Sequence, residues 1–528
     1  MKSRSEFRWA LIEPTRFAWD DPEGDVHFFA DTPMPRGVTT LAGQLLAAGY
    51  NNGRVFCEAM GPIDWDYVHS CDAVGLGVIT CTAPRAYQIA DDLEARGIPV
   101  VLGGQEPTYK TELALQHGRA VVRGEGDFVL TSILDHWREG QSLAGIAGIV
   151  YREGEKMVEN PRHPWVSHLD SLPYANFDSR VLAHAEKLTF LPVHAIRGCN
   201  RGCQFCSECR FWGPPRAHSP AYVISEIAAN LKPWHNMVFL TANNIGIEIE
   251  GYPNWLDEFA DRLIASGNKI PIVCQAEADL ALKRVDGKIV NEPNDALLNK
   301  LYRAGFRIVC IGFENPISQE ALDQMGKGQQ VARYATVCRA FRRHGLRIHA
   351  MTIAGMKGDG PETAPLIART MVKWHVFSMQ LSLLTYMAGS AIYNRVRDGK
   401  VKLIGPNDDP VQDTLFDNGL YARFHPEGMS GYELQQSFLE AMKVFYSRWE
   451  MWKSLLPNPE QVRTFFKELR FQGVFRPRGW KRAIAMAYSD GYTRVRARRL
   501  IRLFEKSPST RQFIEMLRVL GKQPYEGA

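Results

Sequence analysis

Four cysteines stand within one short segment, "HAIRGCNRGCQFCSECRFWG" (194–213): Cys199, Cys203, Cys206 and Cys209. Thiols at this density lock a disulfide knot, hold zinc, or grip an iron–sulfur cluster. Structural zinc takes four Cys or His, normally as two separated pairs, and no second pair follows at the usual distance. A disulfide knot needs an oxidising compartment. The opening "MKSRSEFRWALIEPTRF" meets charge almost at once, unlike a secretory leader. No stretch approaches the apolar length of a membrane span. A cytoplasmic location with reduced thiols is therefore expected. An iron–sulfur cube is held by thiolates from such compact loops, and Gly198 and Gly202 relieve strain where the chain curls around it. The other six cysteines (57, 71, 81, 274, 310, 338) are scattered, mostly in strand-like runs, and read as buried core thiols.

The loop must be positioned by something. From about 188, strand-like runs alternate with amphipathic helices: "LPVHAIRG", "NMVFLTANN", "IPIVCQAEA", "RIVCIGFEN", "LRIHAMTIAG" and "SMQLSLLTYMAG". Six strand–helix units fall short of a closed eight-stranded barrel and suit a partial barrel with an open side. The cysteine loop follows the first strand, at the carboxyl end where barrels carry chemistry. Residues 8 to 150 alternate in the same way, with strands "RWALIEP", "RVFCEAM", "AVGLGVIT", "IPVVLGG" and "AVVRGEG". That pattern predicts a doubly wound parallel sheet whose ligand crevice lies at the strands' carboxyl ends. Standing there are Thr80 and Thr82, then Gly103 and Gly104, then Gly124, Glu125 and Gly126. Paired glycines after a strand let a flat ligand approach the backbone. "AGIVYREGEKMVEN" reads as a hairpin, and the proline-broken stretch after it as a linker. After about 400 the strand signal stops and helices are expected, including "GYELQQSFLEAMKVFYSRWEMWKSLL".

The spacing Cys-x3-Cys-x2-Cys, with Phe205 just before the last cysteine, resembles that of the radical S-adenosylmethionine (SAM) superfamily. The resemblance covers about 188 to 400. It implies a [4Fe-4S] cluster on Cys199, Cys203 and Cys206, with Cys209 outside the ligand set. SAM would chelate the fourth iron through its amino and carboxylate groups, and reductive cleavage would give a 5′-deoxyadenosyl radical, with an external reductant such as flavodoxin or ferredoxin. It further implies SAM contacts from Asn243 and Asn244 at the end of the second strand and from Gln275 and Glu277 at the end of the third. Glu314 would lie near the ribose, and Gly355 beside the adenine.

A large subgroup of that family carries a doubly wound, cobalamin-binding domain in front. Residues 8 to 150 resemble it, with "VITCTAPRAYQIADDL", "VVLGGQEPT" and "VVRGEGD" in the subgroup's order. Cobalamin would then meet Thr80, Thr82, Gly103, Gly104, Gly124, Glu125 and Gly126. "DVHFFA" (25–30) has Ala30 where the Asp-x-His-x-x-Gly motif has glycine, so His27 reads as an ordinary loop histidine rather than a cobalt ligand. The expected organisation is an α/β chain: a Rossmann-like cobalamin domain (1–160), a linker (161–187), a radical SAM (β/α)6 partial TIM barrel (188–400) and a mainly helical C-terminal domain (401–528).

The two cofactors together imply a methyltransferase. Hydrogen abstraction from an unactivated carbon is followed by methyl delivery from methylcobalamin. A second reading uses the same cofactors without net methyl transfer, as in oxidative cyclisation of a porphyrin ester or a ring rearrangement. A third, from another class, is an electron-transfer or binding protein with a closed cluster. The radical must be kept from water, and the Trp- and Phe-rich C-terminal helices are candidates for an apolar lid. Residues 461–506 hold thirteen Lys/Arg against three Asp/Glu, although the whole chain is only +5. A solvated basic face is one reading of them. Peripheral contact with the inner membrane surface is another, and it suits a hydrophobic small-molecule substrate, a lipid or a tetrapyrrole. A peptide and a secondary metabolite are the remaining substrate classes. No nucleic-acid motif accompanies the charge, so no nucleic-acid partner is expected.

Overall fold

The computed structural model describes residues 2–17, 35–473 and 479–521. The first sheet contains β1 (Arg8–Glu13), β2 (Asn52–Cys57), β3 (Ala73–Gly77), β4 (Val100–Gly103), β5 (Ala120–Val122), β6 (Ile149–Glu153) and β7 (Lys156–Glu159). Their order is β2-β1-β3-β4-β5-β6-β7, parallel through β5 and closed at one edge by the antiparallel β6–β7 hairpin. The order reverses between β1 and β3, which makes that crevice the ligand position of a doubly wound sheet. Side chains alternate along β1. Trp9 and Leu11 enter one core, while Ala10 and Ile12 enter the other with helix Ala83–Ala95. The core holding Trp9 is continuous with that of the second sheet.

The second sheet contains β8 (Phe190–Arg197), β9 (Arg216–Ala217), β10 (Met237–Ala242), β11 (Ile272–Ala276), β14 (Phe306–Glu314), β15 (Arg347–Ala354) and β16 (Ser378–Leu383). Six strands run parallel in the order β16-β15-β14-β11-β10-β8, and the short β9 pairs antiparallel on the outer edge of β8. β8 and β16 lie at opposite ends of the six and do not pair, so the barrel is open. All six strands lie where the apolar runs placed them. The hairpin β12 (Leu282–Val285)–β13 (Lys288–Pro293) was not anticipated. Its turn, Asp286-Gly287, has both residues at positive φ (49° and 73°), as a two-residue hairpin turn with an Asp-Gly pair requires.

Segment 161–187 carries only short turns, yet it is packed: Leu169, Leu172, Phe177 and Leu182 are buried. Val181 and Ala183 exchange backbone bonds with Val55, extending the β2 edge. Arg36 of helix Arg36–Ala47 meets Glu226 of helix Pro220–Asn230 at 2.8 Å in a buried ion pair, joining the first domain to the barrel. The C-terminal part is helical from Gly431. The single long helix expected over 431–456 is broken into Gly431–Phe445 and Arg448–Leu455, because Ser447 caps the second by accepting from the Glu450 amide. Among the described residues no helix is long and apolar enough to cross a membrane.

Candidate active site between two sheets

β8 ends at Arg197, and the cysteine loop begins one residue later. Gly198 has φ +89°, and a Cβ there would lie 2.4–2.5 Å from the carbonyl oxygens of Pro214 and Gly213. No side chain is tolerated at this turn. The Cys199 amide donates to Gly213 O at 3.3 Å, and the Arg201 amide donates to Cys199 Sγ at 3.4 Å. The Cys206 amide closes a turn on Cys203 O at 3.1 Å. From outside, the Gln204 amide donates to Met325 O and its carbonyl accepts from Ile392 N. Phe205 packs with Met325, Met356, Tyr386, Ile392 and Phe424 in a separate apolar cluster. All ten cysteines are free thiols.

Burial raises the Cys199 thiol and pushes Cys203 up to about 11 and Cys206 to about 12. Thiolates here need a strong local positive charge, which iron supplies. Among the described residues no three His, Cys, Asp or Glu side chains are gathered tightly enough to hold a single metal ion. The donor set, three thiols on a curled loop behind a glycine-only turn, fits a larger cluster. Cys209 lies in the short helix Glu208–Trp212 and is half-buried.

The polar residues at the neighbouring strand ends are mostly engaged with one another. Asn243 accepts from the Gly198 amide at 2.9 Å and donates to Glu208 at 2.7 Å. Asn244 is buried, and its Oδ1 accepts from the amides of Gly246 and Glu277. Glu277 receives both arms of the Arg201 guanidinium, at 2.8 and 2.7 Å. Gln275 is half-buried in β11. Glu314, at φ +55°, is paired with the buried Lys327 at 2.9 Å. Burial alone would lower that ammonium's pKa, but the Glu314 carboxylate beside it raises it. Gly355 has φ +91°, and Asp359 accepts from the amides of Gly355 and Met356 at 2.9 Å each. Burial pushes Asp359 up to about 6 even though Asn315 also donates to it. Arg201, Lys327 and Asp359 escaped the sequence reading. The glycines flanking "GKG" and "GDG" were the available signal for the last two.

A cavity of about 340 Å³ opens at the carboxyl ends of β10 and β11, at the small end of ligand-site volumes. Asn244, Glu277, Asp279, Trp255 and Arg284 are among its lining residues. Asp279 is only 8% exposed, its Oδ1 has no hydrogen-bond partner, and burial raises its pKa.

Opposite the loop lies the switch point of the first sheet. Thr80 and Thr82 are buried in a single turn, against which the turn Thr414–Phe416 packs from the C-terminal part. Gly104 has φ +110°, and a Cβ there would lie 2.4 Å from Val78 O. Thr108 stitches the two glycine turns together, donating to Gly104 O at 2.7 Å and accepting from the Gly124 amide at 3.0 Å. A Cβ on Gly124 would meet nothing within 4 Å, so the space beside it is open, whereas Gly126 lies against Leu41. Gly103 is half-buried at the end of β4. Ile79 is 53% exposed at this crevice, and Phe128 at its rim is also exposed. An open glycine edge with uncovered apolar side chains fits a flat macrocycle.

Glu125 is engaged elsewhere. Its oxygens accept from Arg197 at 2.9 Å and from Arg216 at 3.0 and 3.1 Å, while Asp127 takes Arg197 at 2.6 Å. The motif containing His27 lies outside the described residues. The expected lid also differs. Trp449 and Trp452 are 67% and 58% exposed and point away from the core, and Trp480 is exposed too. The apolar wall beside Phe205 comes instead from Tyr386, Ile392 and Phe424.

The sequence model of the radical SAM superfamily matches residues 193–371. The chain is 26% identical over 349 residues to bacteriochlorophyllide d C-8(2)-methyltransferase of Chlorobaculum tepidum, covering 63% of this chain and 69% of that protein. It is 26% identical over 387 residues to the anaerobic magnesium-protoporphyrin IX monomethyl ester cyclase of Rubrivivax gelatinosus, covering 69% and 66%. Bacteriochlorophyllide d C-12(1)-methyltransferase of Chlorobaculum tepidum is 23% identical, with 87% and 91% covered. The fold matches radical SAM methyltransferase TsrM from Kitasatospora setae, solved with cobalamin and a [4Fe-4S] cluster (TM-score 0.63, 16% identity, 92% of this chain and 99% of that one). It also matches the cobalamin-dependent SAM radical enzyme OxsB (TM-score 0.64, 14% identity, 98% and 84%). The Cys199–Cys206 loop and most of the open barrel behind it thus lie in the part of the chain that the radical SAM superfamily model matches, and the chain as a whole, doubly wound sheet included, shares the fold of TsrM and OxsB.

Proposed function

We propose that the protein is a cobalamin-dependent radical SAM methyltransferase acting on an unactivated carbon of a small molecule. The observation that carries this reading is the opposition of two loops: three thiols at the end of β8 face the glycine turns after β4 and β5, joined by a direct bond from Gln105 to Glu208. Bound cluster, SAM and cobalamin would supply one-electron cleavage and methyl-carrying chemistry. This chain's residues do the rest. Cys199, Cys203 and Cys206 hold the cluster. Arg201–Glu277 and Asn243 hold the loop's curvature. Asn244, with its amide nitrogen making no bond to the described residues, offers a donor into the cavity beside Asp279. Glu314–Lys327 and Gly355–Asp359 shape the far wall for a nucleoside. Phe205, Tyr386, Ile392 and Phe424 exclude water from the mouth.

Anaerobic reconstitution tests this. The protein should take up a four-iron cluster whose electron paramagnetic resonance changes on adding SAM, and it should bind cobalamin. An unchanged signal refutes it. Given a substrate, S-adenosylhomocysteine should accumulate alongside 5′-deoxyadenosine. The relatives that are cyclases favour a second reading, oxidative cyclisation. It predicts 5′-deoxyadenosine without S-adenosylhomocysteine. A low-potential electron donor such as flavodoxin or ferredoxin is required by either reading.

The C-terminal helices support a further part of the proposal, a membrane-proximal, hydrophobic substrate such as a tetrapyrrole or lipid. Eleven of the twenty exposed large apolar side chains among the described residues lie between Trp449 and Val495. They recur at helical spacing (Trp449/Trp452, Val462/Phe466, Trp480/Ile484, Tyr488/Tyr492/Val495) on a region with excess Lys/Arg, which complements an anionic headgroup layer. The protein should sediment with vesicles containing phosphatidylglycerol and not with pure phosphatidylcholine. Replacing Trp449, Trp452 and Phe466 by Ser should abolish this. Equal recovery with both vesicle types refutes the charge complementarity, and recovery with neither removes the membrane from the account.

A further inference from the structure

One chain of hydrogen bonds joins the cysteine loop to the first domain. Gln105 follows Gly104 in the turn after β4. Its Nε2 donates to Glu208 Oε1, and its Oε1 accepts from Ser207 Oγ at 3.3 Å. Tyr109 OH reaches Ser207 O at 3.5 Å. Glu208 stands between Cys206 and Cys209, and its Oε2 accepts from Asn243 Nδ2 at 2.7 Å. Asn243 Oδ1 accepts from the amide of Gly198, the residue before Cys199. One carboxylate therefore fastens both ends of the loop, through Ser207–Glu208 on one side and Asn243–Gly198 on the other. The same carboxylate fastens the loop to the first domain's ligand edge. Among the described residues no cation pairs with Glu208, so its charge is held by amide donors alone.

We propose that Gln105, Glu208 and Asn243 are positioning residues forming a strut that fixes the spacing and tilt of the cysteine loop against the glycine turns of the first sheet. Its use in catalysis rests on the function proposed above, but its existence does not. Donor and acceptor polarity is complete along the chain: Gly198 N–H to Asn243, Asn243 to Glu208, Gln105 to Glu208, Ser207 to Gln105. The Glu208 carboxylate accepts from both amides at once, one on each oxygen. Bonds to a charged acceptor are the stronger class, so losing one should open the segments it ties by roughly tenfold or more.

The polarity offers its own test. Gln105→Glu sets two carboxylates against each other, whereas Gln105→Glu with Glu208→Gln restores every pair, with the 105–208 bond reversed and the others unchanged. In that double variant the side-chain amide at position 208 donates to the carboxylate at position 105 and accepts from Asn243. Hydrogen exchange on the cofactor-free protein is the readout. We expect Gln105→Glu to accelerate exchange at least tenfold both in 104–110 and, across the domain gap, in 198–212. The double variant should return both segments to the wild-type rate. Acceleration confined to 104–110, or a double variant as loose as the single, overturns the strut. In the reconstituted protein, Gln105→Glu should keep its iron and sulfide content while releasing more 5′-deoxyadenosine per methylated product. An unchanged ratio also counts against the strut. If the wild-type protein binds no cluster, the proposed function falls while the exchange result still judges the strut.

Discussion

Arg197 is the last residue before the cysteine loop, and replacing it by Met should loosen the contact between the two sheets. Its guanidinium is 3% exposed and donates to Glu125 at 2.9 Å and to Asp127 at 2.6 and 3.3 Å, with Trp212 stacked at 5.2 Å. Removing one side of a buried ion pair costs about 3–5 kcal/mol, because the remaining charge is left uncompensated. Glu125 keeps Arg216, and Asp127 keeps only the Gln44 amide at 2.6 Å, so Asp127 bears the loss. The lower half of that range is expected. At 1.36 kcal/mol per decade, about 3–4 kcal/mol is a local opening constant raised roughly 10²–10³-fold. Native-state hydrogen exchange of segments 123–128 and 196–200 measures it directly.

The pH dependence carries the same signature. Burial pulls Asp127 toward neutrality, but the Arg197 charge outweighs it and holds the carboxyl below its usual value. A depressed carboxylate stabilises the fold above its unfolded pKa of about 3.9 and loses that contribution as pH falls through the native value. Wild type and Arg197→Met should therefore differ fully at pH 7 and converge below about pH 4. Arg197→Met with Asp127→Leu replaces the pair by apolar groups and should recover much of the loss. An opening constant that rises less than tenfold in Arg197→Met, or a double variant worse than the single, refutes the assignment of the cluster as the clasp between sheets.

Alanine at Cys199, Cys203 or Cys206 should each abolish iron and sulfide uptake, while Cys209→Ala should retain it; metal and sulfide assays decide. Glu468→Ala strands Arg307, a fully buried guanidinium sandwiched between the rings of Tyr302 and Phe471 and paired with Glu468 at 2.5 Å. A loss of about 3–5 kcal/mol in chemical denaturation is expected, recovered in Arg307→Met with Glu468→Leu. Asp359, pushed up to about 6, disfavours the fold once ionised, so stability should fall as pH rises from about 4 through 6, by about 3 kcal/mol in all. Asp359→Asn should flatten that slope in denaturation series at several pH values.

What the sequence disclosed is local. Continuous apolar runs marked every parallel strand of both sheets, because strands covered on both faces need them. The thiol spacing marked the candidate site, because the residues proposed as a loop's ligands lie close in sequence. Partnerships were invisible. Asn243 reads as a polar strand end, but its partner Glu208 is 35 residues away, and Glu125 finds Arg216 across 91. Pairing at such separations depends on how the sheets face each other, which no window of sequence contains. The β12–β13 hairpin was legible in "VDGK" and was overlooked. The C-terminal helices misled for a physical reason: an aromatic-rich amphipathic helix reads the same whether its apolar stripe faces a core or another phase.

The engagement of those strand-end residues bears on how cofactors would be recognised. Glu125, Glu277, Glu314 and Asp359 each already have protein partners, as do both ends of Asn243. A ligand that took over one of these bonded atoms would displace its protein partner, which is costly where the pair is charged and buried, as at Glu125 and Glu314. Groups without that conflict include the backbone at Gly103, Gly104 and Gly124, the amide nitrogen of Asn244, and the residue Asp279 in the cavity lining. A site built this way is rigid before anything binds, since its charges brace the loops rather than reach for the ligand. Holding two large cofactors at a fixed separation demands such bracing, because misplacing reacting groups by about an ångström can slow a reaction about a hundredfold.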